Sequence, residues 1–186
     1  MASRQTDIFL GIDLGSVTTK MVALRADDLA MVDSVYLRTH GDPLTAMRAL
    51  MKRLRDHPSG PRVAAAATTG SGRTLAARLL NTPIIKNEIT THTLAAARTL
   101  PEVRTIVEIG GQDSKIILVK DALAVDFAMN TVCAAGTGSF LDQQAGRLGI
   151  RVEDMGHLAL SSEYPASISG RCTVFAETDM IHKQQI

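Results

Sequence analysis

Residues 8–24 read IFLGIDLGSVTTKMVAL, which is an apolar run, a glycine-containing turn and a second apolar run. Two short apolar runs on either side of such a turn predict a β-hairpin. The turn begins at Asp13 and Gly15 and ends at Lys20, with hydroxyl residues between them. Glycine lets backbone N–H groups approach a phosphate closely, and hydroxyls add donors. The stretch is therefore either a phosphate-binding element or an ordinary hairpin with an Asx-type turn.

Residues 105–119 repeat this arrangement as TIVEIGGQDSKIILV, so the chain shows a faint internal duplication. A strand at 105–109 is followed by a turn with two glycines, an acid and a hydroxyl, and then by a return strand. A carboxylate beside such a turn would repel phosphate unless a divalent cation lies between them. We therefore expect Asp13 and Asp113 to be Mg²⁺ ligands, direct or through water, with Lys20 as a phosphate partner.

The remaining patterns predict an α/β chain that alternates strands and helices. The predicted strands are 30–37, 63–67, 84–85 and 123–127, and the predicted helices are 42–55, 74–80 and 88–100. Pro101 stops the last of these helices. No low-complexity linker separates the two hairpins, so we place a loose boundary near Pro101, with domains at 1–101 and 102–186.

The composition excludes several classes of partner and compartment. The net charge is +1 and aromatic residues make up 3% of the chain, which argues against nucleic acid or an acidic membrane surface. No apolar run reaches the roughly 20 residues of a membrane helix. Residues 1–7 are polar and lack the apolar core of a secretory signal. Two cysteines in a leaderless protein are not expected to form a structural disulfide, so the sequence predicts the reducing cytoplasm.

The two cysteines occupy matching positions. Cys133 in NTVCAAGTGSF and Cys172 in SGRCTVFAE each precede a predicted helix, with helix starts near Ala134 and Thr173. A helix N-terminus presents unpaired N–H groups and a partial positive charge, which lower a thiol's pKa and suit an anionic cofactor. Buried apolar cysteines remain the alternative from the residues alone.

These motifs, with TGSGR at 69–73 and NEIT at 87–90, resemble the ATPase activators of 2-hydroxyacyl-CoA dehydratases and the ATP-hydrolysing subunits of benzoyl-CoA reductase. The resemblance runs from Ile8 to Glu177. It implies the acetate and sugar kinase/Hsp70/actin fold, with two ribonuclease-H-like α/β halves and ATP between them. Such proteins normally continue past the second cysteine helix, so we expect a truncated second half, with 180–186 inside a helix that is cut in progress.

The resemblance also implies the nucleotide site. ATP or ADP with Mg²⁺ would bind at the glycine turns, and Asp13, Gln112 and Asp113 are the polar groups that could order the attacking water. The implied cofactor-binding residues are Gly15, Ser16, Val17, Thr18, Lys20, Gly110, Gly111, Gly136, Thr137 and Gly138.

For the cysteines the resemblance implies a [4Fe–4S] cluster shared by two subunits. A cubane takes four thiolates and this chain has two cysteines, so Cys133 and Cys172 of a homodimer would supply the set. Pairing with a sister subunit and a shared Cys₄ zinc site stay open. ATP hydrolysis would drive a low-potential electron, received from ferredoxin or flavodoxin, to a 2-hydroxyacyl-CoA dehydratase or an aromatic acyl-CoA reductase.

Two other functions are compatible with the same fold. One is a kinase for a sugar or a carboxylic acid, in which the cysteines are incidental. The other is a non-catalytic, nucleotide-gated interaction module. Iron content after anaerobic purification, phosphate transfer to an acceptor, and nucleotide-dependent assembly without turnover separate the three possibilities.

Overall fold

The computed structural model forms two compact units. The first unit is Met1–Val103 with Val119–Ala124, and the second is Arg104–Leu118 with Val125–Ile186. The structure describes residues 6–130, 136–170 and 172–185. The assignment of domains 1–101 and 102–186 stays a prediction.

The first unit contains a five-stranded sheet. Its strands are β1 (Asp7–Leu14), β2 (Thr18–Arg25), β3 (Met31–Arg38), β4 (Arg62–Thr69) and β5 (Ile84–Ile85). They lie in the order β3-β2-β1-β4-β5, where β1, β2 and β3 are antiparallel and β4 and β5 run parallel to β1. This mixed sheet is the one expected for a ribonuclease-H-like half.

Three helices accompany this sheet: α1 (Pro43–Arg55), α2 (Arg73–Leu80) and α3 (Glu88–Thr99). Asp42 caps α1 by accepting from the Thr45 N–H at 3.0 Å, and Pro43 occupies the first turn, where its missing N–H costs nothing. Asn87 caps α3 in the same way, since its Oδ1 accepts from the Thr90 N–H at 2.8 Å. The strands and helices that the sequence predicts in this unit are therefore confirmed, with ends shifted by a few residues.

Alternation along β1 decides which face of the first sheet becomes core. Ile8, Leu10, Ile12 and Leu14 are buried on one face and pack in one cluster with apolar side chains of α1. The α1 residues in that cluster are Met47, Leu50 and Leu54. Because successive side chains point to opposite faces, Asp13 lies on the face away from this core.

A second sheet has three strands in the order β6-β7-β8. They are β6 (Thr105–Ile109), β7 (Ser114–Lys120) and β8 (Leu123–Asn130). Asp121 and Ala122 join β7 to β8, and their φ values of 51° and 61° are those of a two-residue type I′ hairpin turn.

The second unit also contains the helices α4 (Gly138–Leu148), α5 (Val152–Leu160) and α6 (Thr173–Lys183). The helix expected near Ala134 begins instead at Gly138, because Gly136 has a φ of +73° and Thr137 is extended. The helix after Cys172 begins at Thr173 as predicted. The expected helix over 180–186 is wrong in extent, since α6 ends at Lys183.

The sequence interpretation missed α5. Its apolar residues Val152, Met155 and Ala159 have helical spacing, so the signal was present in the sequence, although all residues of the helix are at least partly exposed in the structure. Within the described part of the chain, every helix is too short or too polar to cross a bilayer.

Arg53 of α1 holds β3 through two hydrogen bonds to the Asp33 carboxylate, from Nε at 2.9 Å and Nη2 at 2.8 Å. These bonds hold the pKa of Asp33 below its usual range. A depressed folded-state pKa gives stability that is present above the ordinary carboxyl pKa and lost as the pH falls through the folded value. We therefore expect Arg53→Met to lower the urea midpoint at pH 7.

The difference between Arg53→Met and the parent chain should shrink as the pH is lowered to the acid limit of folding. Arg151→Met is the control. It removes an ion pair with Glu153 whose side chains are 75% and 66% exposed, and it should change the urea midpoint little at any pH. A difference for Arg53→Met that stays constant with pH would contradict this role of Asp33.

Candidate functional site

The first hairpin brings Asp13 and Lys20 together. They are register partners on β1 and β2, and Lys20 Nζ lies 2.7 Å from Asp13 Oδ2. Their side chains are 23% and 38% exposed, respectively, so the pair is accessible from solvent. Lys20 Nζ also lies 5.7 Å from the centre of the Tyr36 ring on β3. In this structure Asp13 and Lys20 pair with each other, and their expected roles as Mg²⁺ ligand and phosphate partner stay predictions.

The turn between them is held by one bond of its own backbone and one bond from Thr39. The Gly15 N–H donates to the Thr18 carbonyl at 3.0 Å, and the Thr39 hydroxyl donates to the Gly15 carbonyl at 3.0 Å. A Cβ on Gly15 would lie 2.6 Å from the Thr18 oxygen, so this position requires glycine. Ser16 is exposed at the tip and Val17 is half-buried beside it.

The loop between β4 and α2 closes over the end of β1. Gly70 has a φ of +93°, and a Cβ there would lie 2.4 Å from Asp13 Oδ1 and 2.5 Å from the Leu14 carbonyl oxygen. The Gly72 N–H donates to the same Leu14 carbonyl at 2.7 Å. Lys20 and Gly70 thus confine the Asp13 carboxylate from two sides. The sequence assigned no role to these glycines, although Gly-x-Gly directly after a strand signals close backbone approach.

The second hairpin holds one lysine between two carboxylates. Lys115 Nζ lies 2.9 Å from Glu108 Oε2 and 2.9 Å from Asp113 Oδ1. The Lys115 side chain is 3% exposed, while those of Glu108 and Asp113 are 18% and 35% exposed. Gln112 is exposed at the tip of the turn. Sequence reasoning named Gln112 and Asp113 and missed both Glu108 and Lys115.

The geometry corrects how the two hairpins correspond. In each, an acid pairs across the strands with the lysine seven residues later, Asp13 with Lys20 and Glu108 with Lys115. The Gly110 N–H donates to the Asp113 carbonyl at 2.9 Å, as the Gly15 N–H does to the carbonyl three residues later. The counterpart of Asp13 is therefore Glu108, and Asp113 takes the position of Thr18. The shared seven-residue spacing was the signal in the sequence.

The start of α4 supports the second turn. The Gly138 N–H donates to the Gly110 carbonyl at 2.9 Å, and the Ser139 N–H donates to the Gly111 carbonyl at 2.9 Å. These two donors are used within the protein, so in this structure they fix the glycine turn. Thr137 is fully buried at the N-cap position of α4. Nucleotide contacts of residues 136–138 stay a prediction.

Cys172 is a free, half-buried cysteine at the N-cap of α6. Its carbonyl accepts from the Ala176 N–H at 2.9 Å, the first bond of the helix. The segment ahead of it is tied to the same helix, because the Ser169 N–H donates to Asp179 Oδ2 at 2.9 Å. Cys133 lies outside the described residues. Among the residues that are described, no three His, Cys, Asp or Glu side chains converge as a metal site.

Residues 10–186 match the sequence family described as the BadF/BadG/BcrA/BcrD ATPase family. The (R)-2-hydroxyglutaryl-CoA dehydratase activating ATPase of Acidaminococcus fermentans is 35% identical over 173 residues, which are 92% of this chain and 65% of that protein. The 2-hydroxyisocaproyl-CoA dehydratase activator of Clostridioides difficile is 32% identical over 176 residues, 92% of this chain and 64% of that protein.

A solved structure of one such activator is also similar to this chain. The activator of the 2-hydroxyisocaproyl-CoA dehydratase from Clostridium difficile with bound ADPNP aligns with a TM-score of 0.86 and 31% identity, over 96% of this chain and 66% of that one. The chain thus spans 65% and 64% of the length of the two curated relatives.

Replacing Gly70 tests the confinement of Asp13. Gly70→Ala adds a methyl group where the Asp13 and Leu14 oxygens lie, at a positive φ, so we expect a loss of unfolding free energy of about 3 kcal/mol. Gly41→Ala is the matched control, since Gly41 has a φ of +72° with open space around its Cβ position, and it should cost about 1 kcal/mol. Equal losses in urea titrations of the two variants would show that Gly70 is only a turn glycine.

Proposed function

The chain belongs to the BadF/BadG/BcrA/BcrD ATPase family, and from this premise we propose that it is an ATP-driven activator. It hydrolyses ATP to pass a low-potential electron to a 2-hydroxyacyl-CoA dehydratase or an aromatic acyl-CoA reductase. The named relatives, an activating ATPase and an activator of such dehydratases, support the choice of partner. The observation that carries the nucleotide part is the acid–glycine–lysine hairpin, which occurs once in each unit.

Each hairpin supplies the groups that a Mg²⁺-bound triphosphate requires. Asp13, Glu108 and Asp113 offer carboxylate oxygens, which are the ligands that Mg²⁺ prefers, direct or through water. Lys20 pairs with Asp13, and the buried Lys115 is shared by Glu108 and Asp113. The ammonium of Lys20 is on a flexible, partly exposed stem and can also turn to a phosphate oxygen. The remaining nucleotide contacts are proposed for residues 15–18, 110–111 and 136–138.

For hydrolysis a water molecule must be held in line with the terminal phosphate. Gln112 is exposed at the tip of its turn, where its amide can hydrogen-bond such a water. We assign Gln112, Asp13 and Asp113 to orienting that water. The two units are proposed to be the two ribonuclease-H-like halves, with their boundary near Pro101.

The electron-transfer part rests on the cysteines. Cys172 fits a cluster ligand, because its thiol is free, half-buried and placed at the positive end of α6. Cys133 and Cys172 from each chain of a homodimer are proposed to hold one [4Fe–4S] cluster, which ferredoxin or flavodoxin reduces. When bound, such a cluster supplies a one-electron donor of low potential. The N–H groups of the first turn of α6 would stabilise its negative charge.

Phosphate release from Mg²⁺·ATP tests the hairpins. We expect Asp13→Asn and Glu108→Gln each to lower the rate by about tenfold or more, because each removes one charged ligand from beside the phosphates. Asp27→Asn is the control, since Asp27 is 75% exposed on the β2–β3 turn, at the opposite end of β2 from the Asp13 turn. Variants that hydrolyse ATP at the parental rate would exclude these carboxylates from the site.

Metal analysis after anaerobic purification tests the cluster. We expect about four irons and four sulfides per two chains, because a [4Fe–4S] cubane takes four thiolates. Cys172→Ser should lose the iron and the brown colour while ATP still binds, and Ser162→Ala should keep both. Bound zinc without sulfide would instead support a structural Cys₄ site. A colourless protein that phosphorylates an acceptor would support the kinase alternative.

A further inference from the structure

One acidic side chain joins the two long helices of the second unit. Glu177 of α6 forms an ion pair with Arg147 of α4, and its Oε1 also accepts from Gln143 Nε2 at 3.3 Å. The Glu177 side chain is 23% exposed and that of Arg147 is 40% exposed, so the link is partly shielded from water. Gln143 and Arg147 are four residues apart and lie on one face of α4. Their two donors therefore hold the carboxylate from two successive turns.

Apolar packing does little to fix the orientation of α6. All residues of this helix are described, and Ala176 is the one that is fully buried. Val174 and Phe175, in its first turn, are 65% and 64% exposed. Met180 and Ile181 are half-buried, so the helix has some apolar contact. Because burial of apolar area is the main force that positions helices, polar links should contribute more than usual to the placement of α6.

The thiol of Cys172 must follow any movement of α6. Cys172 is the N-cap of this helix, and the segment before it is bound to the helix through Asp179. Glu177 lies five residues after Cys172, within the second turn. Whatever fixes Glu177 against α4 thus also fixes the placement of the sulfur atom.

We propose that Glu177 is a positioning residue, which sets the placement of α6, and with it the Cys172 thiol, against α4. The inference deepens the proposed function and rests on it for its purpose, since a shared cluster requires sulfur atoms held at fixed distances. The role differs from that of a ligand, because Glu177 acts through the helix.

The test measures the distance between α4 and α6 in the metal-free protein. Spin labels are attached to Cys172 and to Leu141→Cys, an exposed position on α4, in a Cys133→Ser background. We expect a narrow distance distribution in this parent and at least a doubling of its width in Glu177→Gln and in Arg147→Met. Glu153→Gln, which alters an exposed pair with Arg151, should leave the width unchanged.

An unchanged distribution in Glu177→Gln would overturn the proposal. If that variant fails to fold, the double variant Glu177→Arg, Arg147→Glu tests the proposal instead. The exchanged ion pair should give the narrow distance distribution of the parent. A broad distribution in the double variant would contradict the link between α4 and α6. With both natural cysteines present, Glu177→Gln should also retain less than half of the parental iron. If the parental protein holds no iron, the proposed electron transfer is wrong. The distance measurement on the metal-free protein tests the role of Glu177 in either case.

Discussion

A carboxylate–lysine pair across two antiparallel strands fixes the register on which each hairpin depends. Asp13 pairs with Lys20, and Glu108 pairs with Lys115. Because side chains alternate between the faces of a strand, a slip of one strand by one residue would carry its charged partner to the opposite face and break the pair. In the first sheet a slip of β2 would place the charge of Lys20 among Ile12, Leu14 and their neighbours. The ion pair and the apolar alternation therefore specify the same register, and the glycine turn follows from it.

The order of strands and helices could be predicted from the sequence because short local patterns determine it. Asp42 and Asn87 mark helix starts, and alternation marks the strands, so the first unit was predicted with small errors at its ends. Asp13 and Lys20 were found because both border one short turn. Glu108 was missed because the seven-residue spacing to Lys115, although present in the sequence, indicates a cross-strand pair only when the strand register is known. The start of α4 was misplaced because Gly136 takes a positive φ that the small residues around it do not specify.

The alternating pattern of a hairpin does not specify whether its apolar face is packed against a helix or left exposed. When Asp13 is aligned with Glu108, Ile12 of the first hairpin corresponds to Val107 of the second, and Met21 corresponds to Ile116. The first two are 2% and 1% exposed, and the last two are 65% and 49% exposed. The same alternating pattern thus gives a buried face in one hairpin and an open face in the other. Alternation identifies the apolar face, but helices distant in the sequence decide whether it is buried.

The two hairpins also differ in charge. In the first, one lysine neutralises one carboxylate. In the second, the almost fully buried Lys115 lies between Glu108 and Asp113, so two negative charges share one positive charge. Carboxylates that share a single cation in a partly shielded place attract a further cation, whereas a neutral pair beside an open glycine turn tolerates an anion better. The second hairpin is thus the more negative of the two, and the first is close to neutral.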